Sequence, residues 1–204
     1  MLLSHTAAQQ IIGREGAGSD FVITYSFNSE LRSGGFAPLQ LGRQPPRGEY
    51  MISIRKGKKQ DAARVSRLLL EISEEFISGE LSEIGKQNLI SEFAVEKITE
   101  KLTANNFRFY LAEDSDDVIG VIAVQGNKHL CYLFVAKSHQ RQGISRGLWE
   151  QAKSESLPFN DSGVFTVNAS NYAVKAYERL GFVLKGTTQE KNGVLYNPME
   201  TGGG

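Results

Sequence analysis

The sequence predicts a mixed α/β domain. Apolar residues recur at three or four between Ala62 and Phe76 and again from Ile144 to Ala152, while several stretches between Ile52 and Val135 alternate or run apolar over strand lengths. Helix-like and strand-like segments interleave along the chain instead of separating into blocks. A basic, glycine-containing turn, Gln140-Arg141-Gln142-Gly143-Ile144-Ser145, joins one apolar run directly to a helical one.

Ile52-Ser53-Ile54-Arg55 alternates as a strand should, and Asp61 stands where a helix needs a cap before Ala62, Val65, Leu69, Ile72 and Phe76. Gly79 and Gly85 interrupt, and Phe93, Ile98 and Leu102 suggest a second helix. Phe107 to Ala112 and Val118 to Val124 read as a hairpin around Glu113-Asp114-Ser115-Asp116-Asp117, whose carboxylates fit a solvated turn better than a metal site. His129 to Val135 gives a third antiparallel strand, and a helix follows the glycine turn to about Ser154. Val164 to Asn168 is a strand and Asn171 to Leu180 a helix ended by Gly181. Phe182 to Gly186 and Val194 to Tyr196 form a last pair around Asn192-Gly193. The order is β-α-α-β-β-β-α-β-α-β-β.

The chain has 204 residues, 40% apolar and 23% charged, enough for one full core. Lys plus Arg equals Asp plus Glu at 23 each, so a general nucleic-acid binder, which needs a basic excess, is disfavoured. Cys131 is the only cysteine and sits in an apolar run, which suits a small core residue and excludes an internal disulfide. With three histidines and one cysteine, no zinc site is expected. No apolar run approaches the ~20 residues of a membrane helix. Met1 to His5 lacks the basic and apolar regions of a secretory signal, so a cytoplasmic location is expected.

Residues 1–49 differ from the rest, with Pro38, Pro45, Pro46 and glycines at 13, 16, 18, 34, 35, 42 and 48. They read as a weakly ordered N-terminal extension, residues 50–200 as the domain, and 201–204 as a flexible tail. Phe21 to Phe27 alone could form a strand, able to pair with a sheet edge or a second subunit, which leaves a homodimer open.

The turn at Gln140 to Ser145 is suited to anions. Unpaired N–H groups of a first helical turn converge there with the positive end of the macrodipole, and Gly143 permits close approach by phosphate oxygens. The Lys and Ser/Thr of a P-loop are absent, as is a G-x-G-x-x-G turn. Downstream, Ala173, Tyr177, Gly181 and Phe182 form an Ala-x-x-x-Tyr-x-x-x-Gly-Phe segment. Together the two stretches resemble the GCN5-related N-acetyltransferase (GNAT) family, with Ser145 standing where that family carries Gly or Ala.

The resemblance implies a central, mostly antiparallel twisted sheet flanked by helices. The sheet would splay between the strands at Leu133 and Val164 and take the pantetheine arm of acetyl-CoA in the split. It implies that the backbone of Leu133, Phe134 and Val135 pairs with that arm, an N–H near Val135 polarising the thioester carbonyl. Gln140, Arg141, Gln142, Gly143, Ile144, Ser145 and Arg146 would hold the pyrophosphate, with Arg141 and Arg146 adding charge-assisted contacts. Asn171 is either a helix cap or a cofactor contact.

Tyr177 is the expected general acid, since a phenol stays protonated at neutral pH and matches a thiolate leaving group; packing is its alternative. His129 is the candidate base, Glu113 a comparable one, and a water chain would also serve; His5 and His139 are less well located. The expected activity is transfer of acetyl from acetyl-CoA to a primary amine by direct attack in a ternary complex. The acceptor, a small molecule or peptide, is not encoded in any motif, and no metal, nucleic acid or membrane partner is expected. The alternative is a non-catalytic acyl-CoA-binding or protein-interaction domain on the same fold, and the intact Tyr177 favours the enzyme.

Overall fold

β1 (Ile52–Lys56) leads through a 3-10 turn, Lys59–Asp61, into α1 (Ala62–Glu80), α2 (Glu83–Glu92) and α3 (Val95–Thr103). A meander follows: β2 (Phe107–Asp114), β3 (Asp117–Gln125) and β4 (His129–Val135). Then come α4 (Ile144–Ser156), β5 (Thr166–Ala169), α5 (Val174–Arg179), β6 (Phe182–Leu184), β7 (Gln189–Lys191) and β8 (Val194–Thr201). The computed structural model describes residues 52–80, 83–171, 173–191 and 194–202. The extension with Phe21 to Phe27, Tyr172, and the Asn192-Gly193 turn lie outside them.

The strand order is β1-β2-β3-β4-β5-β8-β6, with β7 paired to β8. The pairs are antiparallel except for β4 with β5. Strand alternation divides the core in two. Phe109, Leu111, Val121, Tyr132 and Phe134 pack with Val65, Leu69 and Ile98 of α1 and α3. Tyr110, Ile122, Leu133, Val135 and Val167 pack with Leu148 and Trp149 of α4. The Trp149 ring lies 5.2 Å from Phe165 and 5.0 Å from Phe182, and its indole N–H donates to Leu180 O at 3.2 Å. Lys101 enters the first layer at 7% exposure, its ammonium donating to Glu92 and to the Tyr132 hydroxyl, so the buried charge is paired.

Several elements depart from the sequence expectation. α1 runs through Gly79 and α2 through Gly85, so neither glycine ends a helix. Asp61 does not cap α1 but binds Arg55 through both oxygens, at 2.7 and 2.8 Å, and takes Arg64 and the Lys58 N–H as well. β2 and β3 extend to Asp114 and Asp117, leaving Ser115-Asp116 as the turn, with Ser115 at φ 56. α5 begins at Val174, later than expected, because the Ser170 hydroxyl, not the Asn171 side chain, accepts the Ala173 N–H. Val194 to Tyr196 pair with β7, and β6 joins the far end of β8, Phe182 opposite Thr201. Thr201 therefore belongs to the domain and not to a tail: it is buried, and its hydroxyl accepts the Phe165 N–H at 2.9 Å.

Candidate active site

β4 and β5 run parallel and pair only at His129 with Thr166 and Leu130 with Val167, so the sheet opens beyond Leu130. Backbone alternation decides what faces the opening. Val135 sits opposite Gly120 and Ala136 N–H donates to Ile119 O at 2.7 Å, which makes the Val135–Gly120 pair non-hydrogen-bonded. The N–H and C=O of Val135, and of Leu133 two residues earlier, thus point away from β3 into the split. Phe134, between them, turns its backbone to β3 and its ring to Phe93 at 5.9 Å, so the open edge is formed by Leu133 and Val135 without it.

The same strand end feeds the glycine turn. After the 3-10 turn Lys137–His139, the Gln140 side chain donates to Val135 O at 3.2 Å, tying the turn to the strand instead of reaching outward. Arg141 takes φ 65 and Gly143 takes φ 82 and ψ 0, both in the left-handed region. A left-handed non-glycine residue costs about 1–2 kcal/mol and persists when its surroundings fix it. Gly143 is the N-cap of α4 and provides no side-chain acceptor, so the N–H groups of Ile144, Ser145 and Arg146 face outward without one. Ile144 anchors this turn in the core, whereas Arg141, Gln142 and Gly143 are exposed. The Arg146 guanidinium makes a long contact, 3.5 Å, to Arg179 O. The result is an exposed helix terminus flanked by Arg141 and Arg146, which follows the open strand end in the chain.

Tyr177 is fully buried at 0% exposure, its ring edge-on to Phe182 at 5.3 Å, within the apolar cluster that holds Leu133 and Val135. Asn171 accepts from Asn197 Nδ2 at 2.8 Å, and Asn197 also donates to Ala169 O, so Asn171 is fixed at the open end of β5. His129 lies at the closed end of the split, four residues before Leu133, with Nδ1 at 2.8 Å from Thr166 Oγ1. Its ring is oriented, but it stands ~13 Å along the strand from Leu133. Glu113 is not available as a base: Arg55 binds both its oxygens at 2.7 and 2.6 Å, and Arg64 adds a third contact at 3.1 Å. Asp61 completes this network, its carboxyl held well below the usual range chiefly by Arg55, against the opposing effect of burial.

The family pattern of the acetyltransferase (GNAT) domain matches residues 73–202. The chain belongs to the GNAT acetyltransferase family. No curated protein sequence matches it. Among solved structures, a GCN5-related N-acetyltransferase from Rhodopseudomonas palustris is similar at TM-score 0.62 and 19% identity, covering 76% of this chain and 99% of that one. A PaiA N-acetyltransferase from Thermoplasma acidophilum, in complex with coenzyme A, gives TM-score 0.62 at 18% identity, covering 74% and 98%. The ribosomal-protein-S18-alanine N-acetyltransferase of Escherichia coli gives 0.54 at 16%, covering 74% and 93%. At these identities the likeness is one of fold.

Among the described residues of this GNAT chain, no group of three or more His, Cys, Asp or Glu is placed to hold a metal, and no helix is long and apolar enough to cross a membrane. Sequence reasoning missed the tether from Gln140 to Val135 and the contact of His139 Nε2 with Asp114 Oδ2 at 3.2 Å. The second joins groups 25 residues apart that only the fold brings together, and the first needs the 3-10 turn to fold the chain back on the strand end.

Proposed function

We propose that this GNAT chain moves an acetyl group from acetyl-CoA to a primary amine by direct attack in a ternary complex. One observation carries the reading: the open edge of β4 at Leu133 and Val135 runs without a break, through Gln140 and Gly143, into the uncapped N-terminus of α4. A thioester and its diphosphate need those two features at opposite ends of one groove. Coenzyme A is held by the similar Thermoplasma acidophilum protein, and the same cofactor is proposed here.

Acetyl-CoA supplies the activated acyl group. The amides of Ile144, Ser145 and Arg146 hold the pyrophosphate, and Arg141 adds charge from the exposed side of the turn. The Leu133 and Val135 N–H groups orient the arm and polarise the thioester carbonyl oxygen. Fixing amine and thioester together makes the reaction effectively unimolecular. Tyr177 donates the proton that the departing thiolate needs, and the amine proton leaves through water, with His129, aligned by Thr166 but ~13 Å from Leu133, reached only through such a chain. The acceptor is a small-molecule or peptide amine.

The test is release of free thiol from acetyl-CoA by the purified protein, with and without a pool of amines. Faster release with amines supports the transferase. Tight CoA binding with no amine-stimulated release would support the rival reading, a cofactor-binding domain without chemistry, for which the complete burial of Tyr177 is the favouring observation.

A further inference from the structure

His139 and Asp114 take no part in the chemistry just described, yet they join the cofactor turn to a hairpin. His139 ends the 3-10 turn and immediately precedes Gln140. Its Nε2 lies 3.2 Å from Asp114 Oδ2 and its Nδ1 2.8 Å from Ser138 Oγ, so the ring is held through both nitrogens. The side chains are mostly shielded, at 24% exposure for His139 and 17% for Asp114.

Asp114 is a fixed post. It closes β2 opposite Asp117, and the adjoining Glu113 is gripped by Arg55 of β1 and Arg64 of α1. Arg64 also donates to Asp116 O in the turn itself, at 2.9 Å. The hairpin is thereby bound to the first strand and first helix of the fold. The cofactor turn is the part in need of support. Arg141 and Gly143 are both left-handed, and α4 has no side-chain cap. The Gln140 bond to Val135 O secures it on the strand side, and His139 secures it on the hairpin side.

We propose that Asp114 and His139 form a positioning strut for the cofactor turn, an inference that rests on the acetyl-CoA reading of that turn. The strut holds the backbone of residues 140–146 in its anion-binding shape before the cofactor arrives. Binding then does not have to order the turn, and that saving appears as affinity. Neither side chain is among the groups proposed to hold the cofactor, so both act through the turn.

The experiment measures CoA binding by calorimetry, acetyl-CoA kinetics and melting temperature on the full chain. Asp114→Ala should raise the CoA dissociation constant and the acetyl-CoA KM about tenfold, the effect of one lost hydrogen bond, with kcat and the unliganded melting temperature unchanged. Asp114→Asn keeps an acceptor for the His139 N–H and should recover most of the affinity. Wild-type affinity in Asp114→Ala overturns the strut. So does a loss of affinity matched by falls in kcat and melting temperature, which would mark a merely structural pair. Failure of the unsubstituted protein to bind CoA overturns the cofactor reading itself, and is seen before any substitution is made.

Discussion

Gly120 and Val135 face each other across β3 and β4 with no hydrogen bond between them, the ladder bond beside them running from Ala136 to Ile119. Val135 therefore turns its backbone toward the split, where its C=O accepts from Gln140. Gly120 serves the α4 face of the sheet, on which the Val135 side chain also packs. A Cβ there would come within 3.1 Å of Leu148 and 3.3 Å of Ile144, so the bare glycine lets the first turns of α4 rest on the strand. One residue pair thus sets both the edge of the groove and the height of the helix terminus at its end.

Gly143→Glu should weaken CoA binding at least tenfold, because it puts bulk and negative charge where the pyrophosphate is proposed to sit. At φ 82 the new side chain also costs about 1 kcal/mol of stability, so a modest fall in melting temperature accompanies the loss. Calorimetric titration with CoA reads the first effect, and unchanged affinity would remove the cofactor assignment.

Tyr177→Phe retains the ring that packs on Phe182 and removes only the hydroxyl. Turnover should fall about a hundredfold while CoA affinity barely moves, the pattern of a lost general acid. Steady-state kinetics with a responsive amine decide it, and near-normal turnover would return Tyr177 to a packing role.

Asp61 should shape the acid side of the stability curve. Its carboxyl is held below its ordinary value of 3.8 by Arg55 first, then by the Lys58 N–H and Arg64, while burial opposes them. A depressed carboxyl contributes stability that is complete above the unfolded value and lost as pH falls toward the folded one. Melting temperature should therefore hold above about pH 5 and drop below about pH 4, and Asp61→Asn should flatten that drop. At neutral pH the same substitution should cost about 2 kcal/mol, since Arg55 loses half its carboxylate partners. An acid limb identical in the variant would contradict this assignment.

A chain that starts at Met51 should bind CoA as the full chain does and melt within about 3 °C of it, because a Gly- and Pro-rich segment offers little periodic apolar surface to bury. Thermal melts and sizing chromatography check this. A large fall in melting temperature, or a dimer becoming a monomer, would make the extension part of the domain.

The sequence made legible what depends on local stereochemistry. The glycine turn before α4 was read from Gly143, which takes φ 82, and the helix expected from Asn171 to Leu180 is found as α5, shorter at its start and followed by Gly181 at φ 93. The β2–β3–β4 meander was visible because each strand carries an apolar run between turn residues. β7 was not, since Gln189, Glu190 and Lys191 have no strand pattern and pair only because Val194 to Tyr196 lie alongside. α2 escaped for a similar reason: Gly85 reads as a breaker, and the helix is retained by Leu89, which is fully buried. The role of Asp61 was hidden because its network includes Glu113, 58 residues from Arg55 in the chain. At the site, the turn was legible and its supports were not: His139 to Asp114 spans 25 residues, and Gln140 to Val135, only five apart, depends on how the 3-10 turn folds back on the strand end.

The two-residue pairing of β4 with β5 has a mechanical meaning. The sheet is a pair of leaves, β1–β4 and β5–β8–β6, joined along a seam at His129 and Leu130 and braced on one side by Trp149. Few rungs cross that seam, so the leaves can breathe against each other at less free energy than either needs to unfold. An arm seated between them would supply the missing rungs. The occupant would then be as much a ninth strand as a reactant, and amide exchange in β5 would slow with that in β4 only while the groove is filled.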